Sequence, residues 1–239
     1  MPKKAYLTID DSPSAQTKNL VDFLSAKNIP ALLFVRGDRL EQNPLGIEYA
    51  IQNGLVIGNH SYAHQPAGTM KPQDWADDLE LCDHLIEAAY ARCGVKRPGK
   101  YYRFPYIDRG DGRKIEQIDS GNIEENDQTR TLQKYLKEQG FTQPFKNMPP
   151  SYPSAAADCL YTYAAHDWML NDKHRGHQPI KTLDDLKNRV KRDEKLQNPA
   201  HSHILLLHDQ PGILDETCAL IEYFVECGFD FLDFGKKTD

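Results

Sequence analysis

The chain has 239 residues, 39% hydrophobic and 27% charged, with 15 Gly and 15 Pro, a globular composition that excludes collagen-like, low-complexity and disordered classes. Lys and Arg number 29 against 35 Asp and Glu, a net charge of −6, and the acidic residues are interspersed; a negative surface repels phosphate backbones, so nucleic acid is not an expected partner. The longest apolar runs, Ile29 to Val35 and Ile204 to Leu207, fall far short of the roughly 18 residues that span a bilayer, so no membrane association is expected either.

Ala5 to Ile9 reads as a buried strand, and after Pro13 the residues Leu20, Phe23 and Leu24 recur at helical spacing, which makes a first βα unit. Ala31 to Val35 is the next strand, Leu45 to Gln52 a short helix stopped by Asn53 and Gly54, and Leu55 to Gly58 a third strand. Asp74 to Cys93 is the clearest helix, with Leu79, Cys82, Leu85, Ile86 and Ala89 on one face and Gly94 as its stop. Lys100 to Phe104 follows as a strand. Tyr106 to Asp127 is polar, Gln143 to Pro153 is rich in Pro, and a helix over Thr129 to Gln139 lies between them. Leu160 to Ala165, Leu183 to Leu196, Ser202 to Leu207, Leu214 to Cys227 and Phe229 to Phe234 complete the series as strand, helix, strand, helix, strand.

Strands alternating with helices predict a parallel sheet, and at this length a closed or incomplete β/α barrel. One domain is expected over residues 1–239, with an insertion at about 107–157. Lys3 and Lys4 are separated from Asp10 and Asp11 by five residues, too few for the apolar region of a signal peptide. The five cysteines include no CxxC pair, and three sit at apolar helical positions, as buried free thiols do. A cytoplasmic protein is therefore expected, or a secreted one if a leader has been removed.

Five polar clusters follow the apolar runs: Thr8 to Asp11, Asn59 to His64, Arg103 to Tyr106, His166 to Trp168, and Leu206 to Asp209. In a β/α barrel these positions share the C-terminal rim, where catalytic groups lie. His60 and His64 are four apart, so a helical turn or a tight loop can aim both imidazoles at one point. Adjacent carboxylates after a buried strand, Asp10 and Asp11, repel one another unless a cation relieves them; Asp11 alone also suits a helix N-cap ahead of Pro13. Arg103 reads as the ion-pair partner of a carboxylate. His208, alone, reads as a core histidine; with Asp167 on the same rim to hold its far nitrogen, it becomes a proton donor. Trp168 reads as packing first and pocket wall second.

The ordered set TIDDSP (8–13), HSYAH (60–64), RFPY (103–106), DW (167–168) and LLH (206–208) resembles the five motifs of the NodB-homology polysaccharide deacetylases, carbohydrate esterase family 4. The resemblance implies an α/β fold, a distorted (β/α)7 barrel. It implies a divalent metal, usually Zn²⁺, held by Asp11, His60 and His64; such ligands also accept Co²⁺, Ni²⁺ or Mn²⁺. It further implies Asp10 as general base, Arg103 as its orienting partner, His208 as general acid tuned by Asp167, the Tyr106 backbone N–H as oxyanion donor, and Trp168 with Leu206 as walls of an acetyl-methyl pocket. Ser12 and Ile107 stand where the family usually has Gly, and the stretch between Arg103 and Asp167 is longer than usual.

The chemistry these residues allow is hydrolysis of an N-acyl amide, and the substrate implied is an N-acetylated sugar of the N-acetylglucosamine type. Long loops after Arg103 would wall the rim and favour mono- or short oligosaccharides over a threading polymer. Two alternatives keep the fold: an allantoinase-like hydrolase of a cyclic amide or ureide, and a silent carbohydrate-binding relative, for which a complete base and acid have no use.

Overall fold

The computed structural model describes residues 2–112, 126–174 and 179–234. Six strands, β1 (Lys3–Ser12), β2 (Ala31–Val35), β3 (Val56–Asn59), β4 (Tyr163–Ala164), β5 (Ser202–His208) and β6 (Phe229–Phe231), form one sheet in the order β3-β2-β1-β5-β4, with β6 also on β1. All described pairs are parallel. One edge of β1 is shared: β6 pairs with Lys3 to Ala5 and β2 pairs from Leu7 onward. Its other edge pairs with β5 from Lys4 through Asp10, which sets Asp10 opposite His208.

Side-chain alternation along these strands separates two apolar layers. Leu7 and Ile9 of β1, Leu33 and Val35 of β2, Ile57 of β3, and Leu205 and Leu207 of β5 join the cluster that packs the helices. Their alternates Tyr6, Leu32, Phe34, Val56, Ile204 and Leu206 form a second cluster on the inner face. Both faces are apolar because the sheet is covered on both sides. The inner parity then runs on into polar residues: Tyr6 and Thr8 lead to Asp10, Ile204 and Leu206 to His208, and Val56 and Gly58 to His60. Gly58 has no room for a side chain, since a Cβ there would sit 2.7 Å from the Phe34 ring.

The helices among the described residues are α1 (Thr17–Ala26), α2 (Gly37–Gln42), α3 (Pro44–Gln52), α4 (Pro72–Cys93), α5 (Asp127–Glu138), α6 (Leu183–Arg192) and α7 (Leu214–Glu226). Their ends carry the expected signals: Asn43 caps α3, Asn126 caps α5, Thr182 and Asp185 form a capping box on α6, and Gly94 stops α4 in the left-handed conformation. Helix α2, rich in polar residues and only six long, carries no periodic signal in the sequence. No helix among the described residues is long and apolar enough to cross a membrane.

The strand predicted over Lys100 to Phe104 is reduced to single bridges: Tyr102 pairs with Asn59 on one side and Asp158 on the other. This stretch packs with α4 and α5 in a third cluster around Trp75, Tyr102, Phe104 and Leu136, and its backbone turns away after Arg103 to enter the Pro105–Ile107 turn. The row β5-β1-β2-β3 thus continues through Tyr102 to Asp158, and the chain from Asp158 returns to β5 through β4. The result is a curved parallel sheet whose two ends are joined by the chain between Asp158 and β4. Of the polar stretch Tyr106 to Asp127, residues 113–125 lie outside the described residues.

Candidate active site

Asp10 and Asp11 leave β1 at its C-terminal end, His60 follows β3, and His208 ends β5, so four polar groups meet at one rim of the sheet. Asp11 has φ 69°, and it caps no helix: α1 begins at Thr17 with Gln16 at its N-cap. Asp11 is thus no N-cap; the left-handed bulge it forms near the end of β1, where the register with β2 shifts between Ile9 and Ser12, places its carboxylate at the rim instead.

His60 and His64 are brought together by a loop, not a helical turn. Asn59 accepts the Ser61 N–H, Asp78 of α4 accepts the N–H groups of Tyr62 and Ala63, and Ser61 Oγ accepts the His64 N–H. One ligand atom from each of Asp11, His60 and His64 lies within 4.8 Å of the others. The Arg103 carbonyl lies 2.8 Å from His60 Nδ1; a carbonyl only accepts, so Nδ1 carries a proton and Nε2 is the nitrogen left for the rim. Burial, the neighbouring His60 and the cations Arg36 and Arg39 push His64 down to about 3 against the pull of Asp11, which leaves it a neutral ring with a free lone pair. Asp11 is held well below the ordinary carboxylate range: burial opposes this, and positive charge among the surrounding imidazoles, carried by His208, together with the Gln210 amide, outweighs it.

Asp11 Oδ1 is buried without a hydrogen-bond partner and lies 3.2 Å from His64 Nε2. Two lone-pair atoms that close repel unless something positive joins them, and tetrahedral ligands about 2.0 to 2.1 Å from Zn²⁺ stand at roughly this spacing. The donor set therefore fits a divalent cation.

Behind the rim, Arg103 is fully buried. It donates to Asp10 Oδ1 at 2.8 Å, to Thr8 Oγ1 at 2.9 Å and, through Nε, to the Cys159 carbonyl at 2.8 Å, and it lies over the Phe34 ring at 4.3 Å. Asp167, also fully buried, accepts from His208 Nδ1 at 2.8 Å and from its backbone N–H at 2.9 Å, with Thr217 Oγ1 on the same carboxylate. His208 Nε2 is thereby left for the rim. Burial works against a charged imidazole here, but Asp167, by charge and hydrogen bond, with Asp11 and Asp10 beyond it, lifts His208 to about 9.

These groups open on a cleft of about 990 Å³ that Tyr106, Trp168 and Leu206 also line. All ten residues expected from the sequence therefore converge, eight on the cleft and two, Arg103 and Asp167, supporting it. Tyr106 is 53% exposed and its ring stands 4.7 Å from His64. Tyr106 and Ile107 both adopt left-handed backbone, φ 56° and 58°. That conformation strains a β-branched residue, and burial of the Ile107 side chain in the inner cluster offsets it, so the missing Gly leaves the turn in place. At the other departure the left-handed residue is Asp11, not Ser12.

The sequence reading missed Gln210, whose amide donates to Asp11 Oδ2 at 2.6 Å, and Arg39, which donates to the Asp11 carbonyl at 2.5 Å. Gln210 is two residues past His208, and that adjacency was its one available signal. Thr8, which links Arg103 to the Leu205 carbonyl, was legible as an inner-face residue without a stated partner.

Residues 1–142 match the family described as polysaccharide deacetylase. A chitin deacetylase of Colletotrichum lindemuthianum is 32% identical over 111 residues, 44% of this chain and 43% of that protein. A peptidoglycan-N-acetylglucosamine deacetylase of Bacillus cereus is 27% identical over 95 residues, 38% of this chain and 34% of its own length. The matched stretch thus spans less than half of these curated relatives. In fold, the chain is similar to a family 4 carbohydrate esterase from Streptomyces lividans, with a TM-score of 0.64 at 19% identity over 95% of this chain and 90% of the other. With its match covering more than half its length, the chain belongs to the polysaccharide deacetylase family.

Proposed function

We propose that the protein is a metal-dependent hydrolase that removes N-acetyl groups from sugars of the N-acetylglucosamine type, with Asp11, His60 and His64 holding the metal, Zn²⁺ foremost. The observation that carries this reading is the pairing of Asp10 with His208 as register partners on β1 and β5. A carboxylate backed by Arg103 and an imidazole backed by Asp167 face the cleft that holds the three-ligand cluster. The names of the relatives, one for chitin and one for peptidoglycan N-acetylglucosamine, support the sugar.

When bound, the metal supplies Lewis acidity toward the acyl oxygen and acidifies water. Asp10, oriented by Arg103, takes the proton of the attacking water. His208, protonated and held by Asp167, gives its proton to the departing amine. The Tyr106 backbone N–H serves as a donor to the oxyanion, and Trp168 with Leu206 supplies apolar wall for the acetyl methyl. Five free thiols suit a reducing compartment.

Acetate release tests the reading on N-acetylglucosamine, its short oligomers, a soluble long polymer and a cyclic ureide. Turnover of the short N-acetylated sugars is expected, with less per residue on the polymer. Opening of the ureide with no acetate from any sugar would replace this function with the other. Better turnover on the long polymer would leave the chemistry and overturn the size preference.

The acid role of His208 has a pH signature. Activity that needs its proton persists below the imidazole's pKa and is lost as pH rises through it, and a bound cation lowers that value. The alkaline limb of kcat/KM is therefore expected at or below pH about 9, and Asp167→Asn should move it toward acid. An alkaline limb that stays in place in that variant assigns it to another group.

A further inference from the structure

Asp11 is gripped at two points that the proposed reaction does not use. Gln210 Nε2 donates to its Oδ2 at 2.6 Å, and Arg39 donates to its backbone carbonyl. Only the amide nitrogen can meet a carboxylate oxygen, so the orientation of Gln210 follows from chemistry. The remaining oxygen, Oδ1, is buried, has no hydrogen-bond partner and faces His64 Nε2. The backbone of Asp11 is left-handed, φ 69°, a conformation that Asp tolerates better than most residues.

Gln210 is itself held in place. The neighbouring Asp209 donates its N–H to the Asp10 carbonyl, and its carboxylate accepts from the Ser14 N–H, Ser14 Oγ and Thr17 Oγ1. The turn after β5 is thereby strapped to the turn after β1, and Gln210 cannot drift from Asp11. A carboxylate binds a cation through one oxygen or chelates it through both. The amide on Oδ2 occupies one of its lone pairs and fixes the carboxylate's orientation, which disfavours chelation and favours Oδ1, the oxygen without a hydrogen bond, as the single ligand.

We infer that Gln210 is a positioning residue that makes Asp11 a one-oxygen metal ligand and so keeps a coordination position open for reactants, as hydrolytic zinc sites require. The inference rests on the metal-dependent reading above. Removing the amide frees Oδ2 to chelate, which raises the coordination number at the site.

Cobalt reports coordination number directly, because open four-coordinate Co²⁺ absorbs visible light far more strongly than six-coordinate Co²⁺. The full chain, stripped with a chelator and reloaded with Co²⁺, is compared with Gln210→Met, Gln210→Asn and His60→Ala, with folding followed by circular dichroism. Both Gln210 variants are expected to keep bound cobalt and lose visible absorption intensity; Asn, one methylene shorter, withdraws the amide from Oδ2 and covers the case in which Met disturbs the turn. A wild-type spectrum in a folded Gln210 variant overturns the inference while the metal reading stands, provided His60→Ala has lost its cobalt. Equal cobalt in His60→Ala and wild type overturns the metal reading and the inference with it.

Discussion

Asp10→Asn is expected to lower acetate release by about 10²- to 10⁴-fold, the usual contribution of a general base, with metal content unchanged. The amide fills the same space and can still accept from Arg103 Nη1, which now contacts Oδ1 at 2.8 Å, but it takes no proton from water. Asp10 Oδ2 stands 3.7 Å from His60 Nε2, beyond hydrogen-bond reach, so the three-ligand cluster does not depend on its charge for geometry. Metal analysis beside a single-turnover assay separates the effects. Loss of metal together with activity would make Asp10 part of the cation site, and turnover within a few-fold of wild type would remove its role as base.

Much of this site was legible because strand parity and motif position are written locally. Each apolar run ends in its polar cluster, and in parallel strands those ends lie on one rim, so Asp10, His60 and His208 could be placed together without knowing the sheet order. The support of that rim was not legible. Asn59 and Asp78, which hold the His60 to His64 loop, and Gln210, which meets Asp11 from 199 residues away, act through contacts that no periodicity encodes. Asp11 admitted an N-cap reading beside the ligand one because its acceptor chemistry is the same in both roles, and only the bulge near the end of β1 decides which groups it meets. The third-motif strand shrank to a bridge at Tyr102 for a related reason: its residues are strand-like, but packing against α4 and α5 sets how far the backbone can follow its neighbours.

Arg103→Met is expected to destabilise the fold by about 3 to 5 kcal/mol, the cost of removing one partner from a buried ion pair. For a chain of this size that corresponds to a fall in Tm of roughly 6 to 20 °C. The methionine fills similar volume and packs against the Phe34 ring, so the loss is not a cavity. It comes from the polar groups left behind: the Asp10 carboxylate, 3% exposed, loses its guanidinium, and Thr8 Oγ1 and the Cys159 carbonyl each lose a donor. Arg103→Lys restores charge but not the fork that reaches all three, so it should recover part of the stability. The double variant Asp10→Asn with Arg103→Met is the decisive comparison, because it removes the stranded charge and should be more stable than Arg103→Met alone. If the double variant unfolds at a lower temperature than either single one, the Arg103 contacts to Thr8 and Cys159, and not its pairing with Asp10, hold this end of the sheet.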